Sequence, residues 1–171
     1  MLLAANPERG PAYRAGGAAL FLAVAVILTA LGFEHLGGYV ACPLCLQERW
    51  AYYAGIPALF IALVLLSAGR TNVAAVIFLA ITLAFLANAA LGTYHAGAEW
   101  KFWPGPETCA GAQPISTGAG GLFKDLATTR VIRCDEAPWH FLGLSFAGWN
   151  VVASLLLAAG AAFSAIKARH G

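Results

Sequence analysis

Charged side chains are what this sequence has least of: Asp, Glu, Lys and Arg make up 11% of its 171 residues, against 60% hydrophobic ones. A water-soluble domain of this length needs more polar surface, so that class is excluded and the surplus apolar surface calls for lipid. The ten basic residues outnumber the eight acidic ones by only two and are scattered along the chain, which removes the basic groove a nucleic acid would need. Strict polar/apolar alternation is missing as well, and with it the pattern of barrel strands. Cysteines are few but even in number, four in all. They sit in a chain that does not need staples for lack of a core, so their purpose is an open question at this level.

What the sequence has in abundance is long uncharged runs. Four of them, Ala15 to Phe33, Trp50 to Gly69, Thr71 to Tyr94 and Phe141 to Ile166, reach the roughly 20 residues that a helix needs to cross about 30 Å of hydrocarbon, and the expected transmembrane helices are 15–34, 47–67, 72–95 and 143–166. Lipid offers the backbone no hydrogen-bond partners, so helices are the physical choice. The expected fold is an all-α integral membrane four-helix bundle, a single membrane domain over 1–171, with outer loops at 35–46 and 96–142. The first run is longer than the apolar stretch of a signal peptide, about 7 to 15 residues, and reads as a span although Ala30-Leu31-Gly32 has the small-x-small form of a cleavage site.

Charge sets the orientation. One face carries both termini and the tight turn between the second and third spans, with Arg9, Arg14, Arg70, Lys167 and Arg169 against the single acid Glu8. The other carries Arg49, Lys101, Lys124, Arg130 and Arg133 against seven acids: Glu34, Glu48, Glu99, Glu107, Asp125, Asp135 and Glu136. Basic residues near span ends mark the cytoplasm, so the termini are expected inside and all four cysteines outside, where disulfides persist if this is a bacterial inner membrane.

The densest chemistry is Cys42-Pro43-Leu44-Cys45-Leu46-Gln47-Glu48-Arg49, where the first outer loop becomes the second helix. Proline suits the first helical position because its missing N–H has no partner there anyway. That makes Cys42 a cap and puts Cys45 in the first turn, on the same face. Arg49 follows one turn later, and its charge together with the helix N-terminus favours a reactive thiolate at Cys45. A zinc site would show a second close-spaced Cys or His pair, which is lacking, so no metal is expected. A structural disulfide over so short a loop would gain little chain entropy.

Cys109 and Cys134 enclose about 25 residues, for which a disulfide contributes roughly 3 to 4 kcal/mol in the chain-entropy model. The segment between them is rich in Gly and Pro, without a core of its own, which reads as a mobile and accessible disulfide. Both cysteine pairs are expected to be strained or exposed. Leu122, Phe123 and Leu126 have the spacing of a short membrane-surface helix, with a solvated loop as the alternative. Trp100, Trp103, Trp139 and Trp149 read as interface anchors. Glu34, His35 and His95 lie at outer span ends; a histidine there is either a wet interfacial residue or a proton carrier for a redox centre.

Taken together, the C-x-x-C-x-x-E-R run at Cys42 to Arg49, Tyr94-His95 closing the third span, Cys109, Cys134 and Trp139-x-Phe141-Leu142-Gly143-Leu144 resemble the DsbB family of bacterial inner-membrane disulfide-forming proteins over nearly the whole chain. The resemblance implies a quinone-dependent protein-dithiol oxidoreductase in the inner membrane. It would reoxidise a periplasmic thioredoxin-fold partner of the DsbA type and deliver the electrons to ubiquinone or menaquinone. By position, Cys109 corresponds to the cysteine that meets the partner, Cys134 to the one that hands oxidation to Cys42, and Cys45 to the thiolate beside quinone. Arg49 corresponds to the quinone-site arginine, with His95 next to the quinone. DsbA is a strong oxidant because its reduced form is stabilised, so an ordinary disulfide cannot reoxidise it and a quinone must pull. Two positions depart from the pattern: the loop before Cys134 is unusually Gly/Pro-rich, and Ser145 stands where some relatives have an acid.

Two other readings compete. The vitamin K epoxide reductase family is also a small quinone-linked bundle with two cysteine pairs, but its close pair typically follows the separated one, whereas Cys42 and Cys45 come first. A four-span scaffold of tetraspanin type would carry structural disulfides in a large outer loop; it would not need Arg49 beside the pair, and its Cys-Cys-Gly signature is missing.

Overall fold

A computed structural model describes residues 10–106 and 134–170. Four helices account for most of them: α1 (Gly10–His35), α2 (Pro43–Ser67), α3 (Thr71–Glu99) and α4 (Phe146–His170). At 25 to 29 residues each, they extend roughly 38 to 44 Å, more than the hydrocarbon thickness. All four are long and apolar enough to span, which makes this a multi-pass membrane protein. The helices run past the uncharged stretches: α3 carries His95 and Glu99 in its last turns, and α2 opens with the cysteine motif.

In order around the bundle each helix packs on the next, α3 most extensively on α4, while α2 and α4 barely touch across the diagonal. The core is built of small and large residues in alternation. Ala12, Ala19 and Ala23 of α1 and Ala158 and Ala161 of α4 leave room for Leu59, Leu63, Phe78 and Phe85. Close approach is needed here because lipid supplies no hydrophobic drive between helices, and packing has to supply it. At Gly55 a Cβ would come 2.9 Å from the Phe85 ring. Phe21, Leu28, Phe60, Leu83 and Leu155 face outward, toward lipid. Between helices, the Tyr52 hydroxyl donates to Asn150 Oδ1 at 2.8 Å and Asn88 Nδ2 to Ser154 Oγ at 3.0 Å.

The α2–α3 connection turns on Gly69 at φ 79°, a left-handed geometry that glycine adopts without a Cβ penalty. Where the sequence reads Gly143 as the start of the fourth span, α4 begins at Phe146 and is preceded by a short hairpin. His140–Phe141 pairs antiparallel with Leu144–Ser145. Leu142 and Gly143 both have positive φ, 51° and 81°, as a two-residue type I′ turn requires. This hairpin is the one departure from all-α among the described residues. Leu122, Phe123 and Leu126, and with them the surface helix, lie outside the described residues, as does Cys109.

Candidate active site at the cysteine end of the bundle

Cys42 is the N-cap of α2, extended at φ −75° and ψ 164°, with Pro43 at the helix start. The Cys45 backbone N–H donates to Cys42 Sγ at 3.2 Å and the two sulfurs lie 2.6 Å apart; both cysteines are free. Hydrogen bonding from the Cys45 thiol, helped by that backbone N–H and outweighing burial, holds the Cys42 thiol below its ordinary range. The sequence favours Cys45 as the thiolate; in the resting geometry the donors converge on Cys42 instead, because the cap position collects the first-turn N–H groups.

Cys134 is disulfide-bonded to a partner outside the described residues, and it packs with Cys42 and Leu44 in one small cluster. Cys42 is 5% exposed and Cys134 1%, so of the expected strained or exposed pairs, exposure does not hold for these two. Burial follows from their contact: each shields the other, with Leu44 beside them and Cys45 and Leu91 packed against the cluster.

His95 arrives from α3. Its Nε2 is 3.6 Å from Cys42 Sγ and its Nδ1 2.8 Å from Glu48 Oε1. At 2% exposure it is no wet interfacial residue. Arg49 turns to Glu34 at the end of α1 and forms an ion pair with it. Cys42, Cys45 and His95 place three donor atoms within 4.8 Å of one another. Sulfurs 2.6 Å apart are nonetheless closer than the roughly 3.8 Å separating two thiolates that share a tetrahedral ion at about 2.3 Å each. The trio is laid out for sulfur–sulfur chemistry.

A cavity of about 900 Å³ runs from these groups between α1 and α4, within the size of small-molecule sites. Leu22, Val26 and Leu156 line its apolar end; Cys45, Arg49 and His95 its polar end. Phe33 and Phe146, in edge-to-face contact with ring centres 5.0 Å apart, add an aromatic stretch to its wall. Asn150 faces the same space, its buried Nδ2 beside the Glu48 carboxyl without a close hydrogen bond, a donor that an incoming acceptor could engage. These residues fit a flat, apolar, carbonyl-bearing molecule such as a quinone.

The tryptophans are anchored rather than loose. Trp103 donates to the Tyr94 carbonyl at 2.9 Å and Trp149 to that of Phe141 at 3.0 Å, while Trp139 stacks on Phe146 at 4.7 Å. Glu99 and Asn150 are site residues that the motif reading did not single out, and Glu48 and Ser145 entered it without a role. Glu99 was signalled by its i+4 relation to His95, and Asn150 by being polar inside an apolar span.

Comparison with known proteins bears on the same residues. The family model described as "Disulfide bond formation protein DsbB" matches residues 13–164. A disulfide bond formation protein B of Aromatoleum aromaticum is 31% identical over 90% of this chain and 95% of its own length. That of Hahella chejuensis is 30% identical over 92% and 98%, and that of Methylococcus capsulatus 30% over 79% and 82%. No solved structure matches. With a family match spanning all four helices and the cysteine motif at the polar end of a cavity between them, the chain belongs to the DsbB family of disulfide bond formation proteins.

Proposed function

We propose that this protein is a disulfide-forming oxidoreductase that passes electrons from a periplasmic dithiol partner of the DsbA type, through Cys109 and Cys134 and then Cys42 and Cys45, to ubiquinone or menaquinone. Membership of the family carries the disulfide-forming activity, in preference to the vitamin K epoxide reductase and scaffold readings. The observation that supports the route is the position of Cys42, which touches Cys45, His95 and Cys134 at the polar end of the cavity.

In this scheme Cys134, once the partner has reduced its disulfide, attacks Cys42 of the oxidised Cys42–Cys45 pair as a thiolate and expels Cys45 as the thiolate; Cys109 then resolves the Cys42–Cys134 mixed disulfide, which leaves the Cys42–Cys45 dithiol to be oxidised by the quinone. Oxidation thus moves between pairs that are already in contact. Arg49, His95 and Asn150 hold the quinone head, and the apolar wall of α1 and α4 takes its tail. When bound, a quinone supplies a two-electron, two-proton acceptor. The chain acts as a single domain in a bacterial inner membrane, termini in the cytoplasm and cysteines in the periplasm, as the excess of basic residues at the termini and the tight turn supports.

The test is a purified preparation given a short-chain quinone and a reduced DsbA-type protein. Quinone absorbance should fall as partner thiols disappear, one quinone per dithiol, and Cys45→Ser should abolish both. Full turnover in Cys45→Ser would sink the route.

A further inference from the structure

His95 is held between two buried acids. Its Nδ1 lies 2.8 Å from Glu48 Oε1 and its Nε2 3.9 Å from Glu99 Oε1, with the three side chains 3%, 8% and 5% exposed. The other oxygen of Glu99 accepts from the Ser145 hydroxyl. Ser145 Oγ in turn accepts from the Gly148 N–H, 3.2 Å away in the first turn of α4. Glu99 is therefore fixed from α4 while it faces an imidazole on its own helix.

Charge counting shows what this arrangement must contain. From α2, the trio is faced by the two thiols and by Arg49, whose guanidinium is engaged by Glu34 of α1. From α4 come only the neutral Asn150 and Ser145, and the hairpin approach adds a further acid, Glu136, to the cavity wall. Lys101 is bound to Asp135 at 2.6 Å and is exposed. Among the described residues no cation other than His95 itself meets Glu48 and Glu99. Two carboxylates against one imidazolium leave a net negative charge, and burying it uncompensated costs more than binding a proton. The neutral state is an imidazolium, one carboxylate and one protonated carboxyl.

We propose that Glu99 is a positioning residue that gives this trio its extra proton, so that His95 can exchange protons with Cys42 and with a quinone without waiting for solvent. The proposal rests on the quinone-linked reading above. Oxidising the Cys42–Cys45 dithiol forms one S–S bond and breaks two S–H bonds; two electrons and two protons go to the quinone-class acceptor, which leaves as the hydroquinone. The protons depart from sulfur and arrive on oxygen, and His95, in reach of Cys42 Sγ at 3.6 Å, is the group between them. A trio with one mobile proton already bound can give at one end before it receives at the other.

The experiment has two arms on the full chain in lipid nanodiscs. Without quinone, infrared spectra of the wild type should contain a protonated-carboxyl stretch that is sensitive to hydrogen–deuterium exchange. Glu99→Gln should lose it, because the remaining Glu48–His95 pair is neutral without an added proton, and Glu99→Asp should keep it. With quinone, Glu99→Gln should lower turnover about 10-fold, the low end of general acid–base effects since it acts through His95, with quinone KM within about twofold. Its alkaline limb should flatten, and Glu99→Asp should recover most of the rate. A carboxyl stretch retained in Glu99→Gln, an unchanged pH profile, or Glu99→Asp behaving as Glu99→Gln would overturn the proposal. A wild type that reduces no quinone would refute the functional reading instead, leaving the infrared arm to judge the stored proton.

Discussion

The two ends of the bundle are built on opposite terms. Around the α2–α3 turn the interior is Ala, Leu and Phe: Ala62, Leu63 and Leu66 against Ala74, Ala75 and Phe78. Its buried hydroxyls are satisfied within their own helices or by a neighbouring carbonyl, as where Ser164 Oγ donates to the Ala12 oxygen at 3.1 Å. At the other end Glu34, Cys42, Cys45, Glu48, Arg49, His95, Glu99 and Asn150 crowd one cavity. Ionisable groups at such a position are expensive and persist where they have work to do. The apolar end thus supplies the stability that the cysteine end consumes, and substitutions should separate along the same line: packing changes alter folding, polar changes alter chemistry.

The largest effect that would sharpen this contrast is Phe78→Ala. It empties a fully buried ring site against Gly16, and should cost about 3 kcal/mol in reversible unfolding in mixed micelles. Turnover per folded molecule should stay near wild type. A loss of turnover in the folded fraction would erase the division between the ends. Next comes Arg49→Lys, which keeps the charge but loses the planar fork toward Glu34 and the quinone head. Quinone affinity should drop about tenfold, some 1.4 kcal/mol, with unfolding barely changed. Unaltered quinone binding would remove Arg49 from the site.

The smallest effect is electrostatic. Cys45→Ala takes away the thiol that donates to Cys42 but leaves the backbone N–H at position 45. Cys42 has its pKa lowered in the native pair, so its thiolate forms at lower pH than a free thiol. Without that donor the pH midpoint for alkylation of Cys42 by a small maleimide should move upward. A midpoint that stays put or moves downward would show that the Cys45 thiol does not bias the pair.

Much of the fold was legible because the features that specify it are local. Uncharged length marks a span without reference to any neighbour, and Pro43 after Cys42 marks a helix start through the geometry of one residue. The start of α4 was misplaced by three residues because Leu142-Gly143 reads as apolar continuation, whereas their positive φ makes them a turn. At the site, Cys42, Cys45 and Arg49 could be grouped from helical spacing alone. The burial of the site could not be read: His95 sits at a span end and Cys134 in the outer loop in sequence, but both are sealed by contacts with residues at the start of α2. Glu99 reads as a loop charge in the sequence, whereas α3 continues through it.

By itself the sequence determined four membrane-spanning helices, the cysteine motif at a helix N-terminus, and the family to which those residues point. Only the tertiary structure decided which side chains meet: His95 with Cys42 and Glu48, Arg49 with Glu34, Cys134 with Cys42, and Ser145 with Glu99. The reason is physical. A helix that is apolar on every side carries no hydrophobic stripe to announce its inward face. Its rotation is set instead by where small residues admit a neighbour and where buried polar groups find partners, and those are properties of the packed bundle.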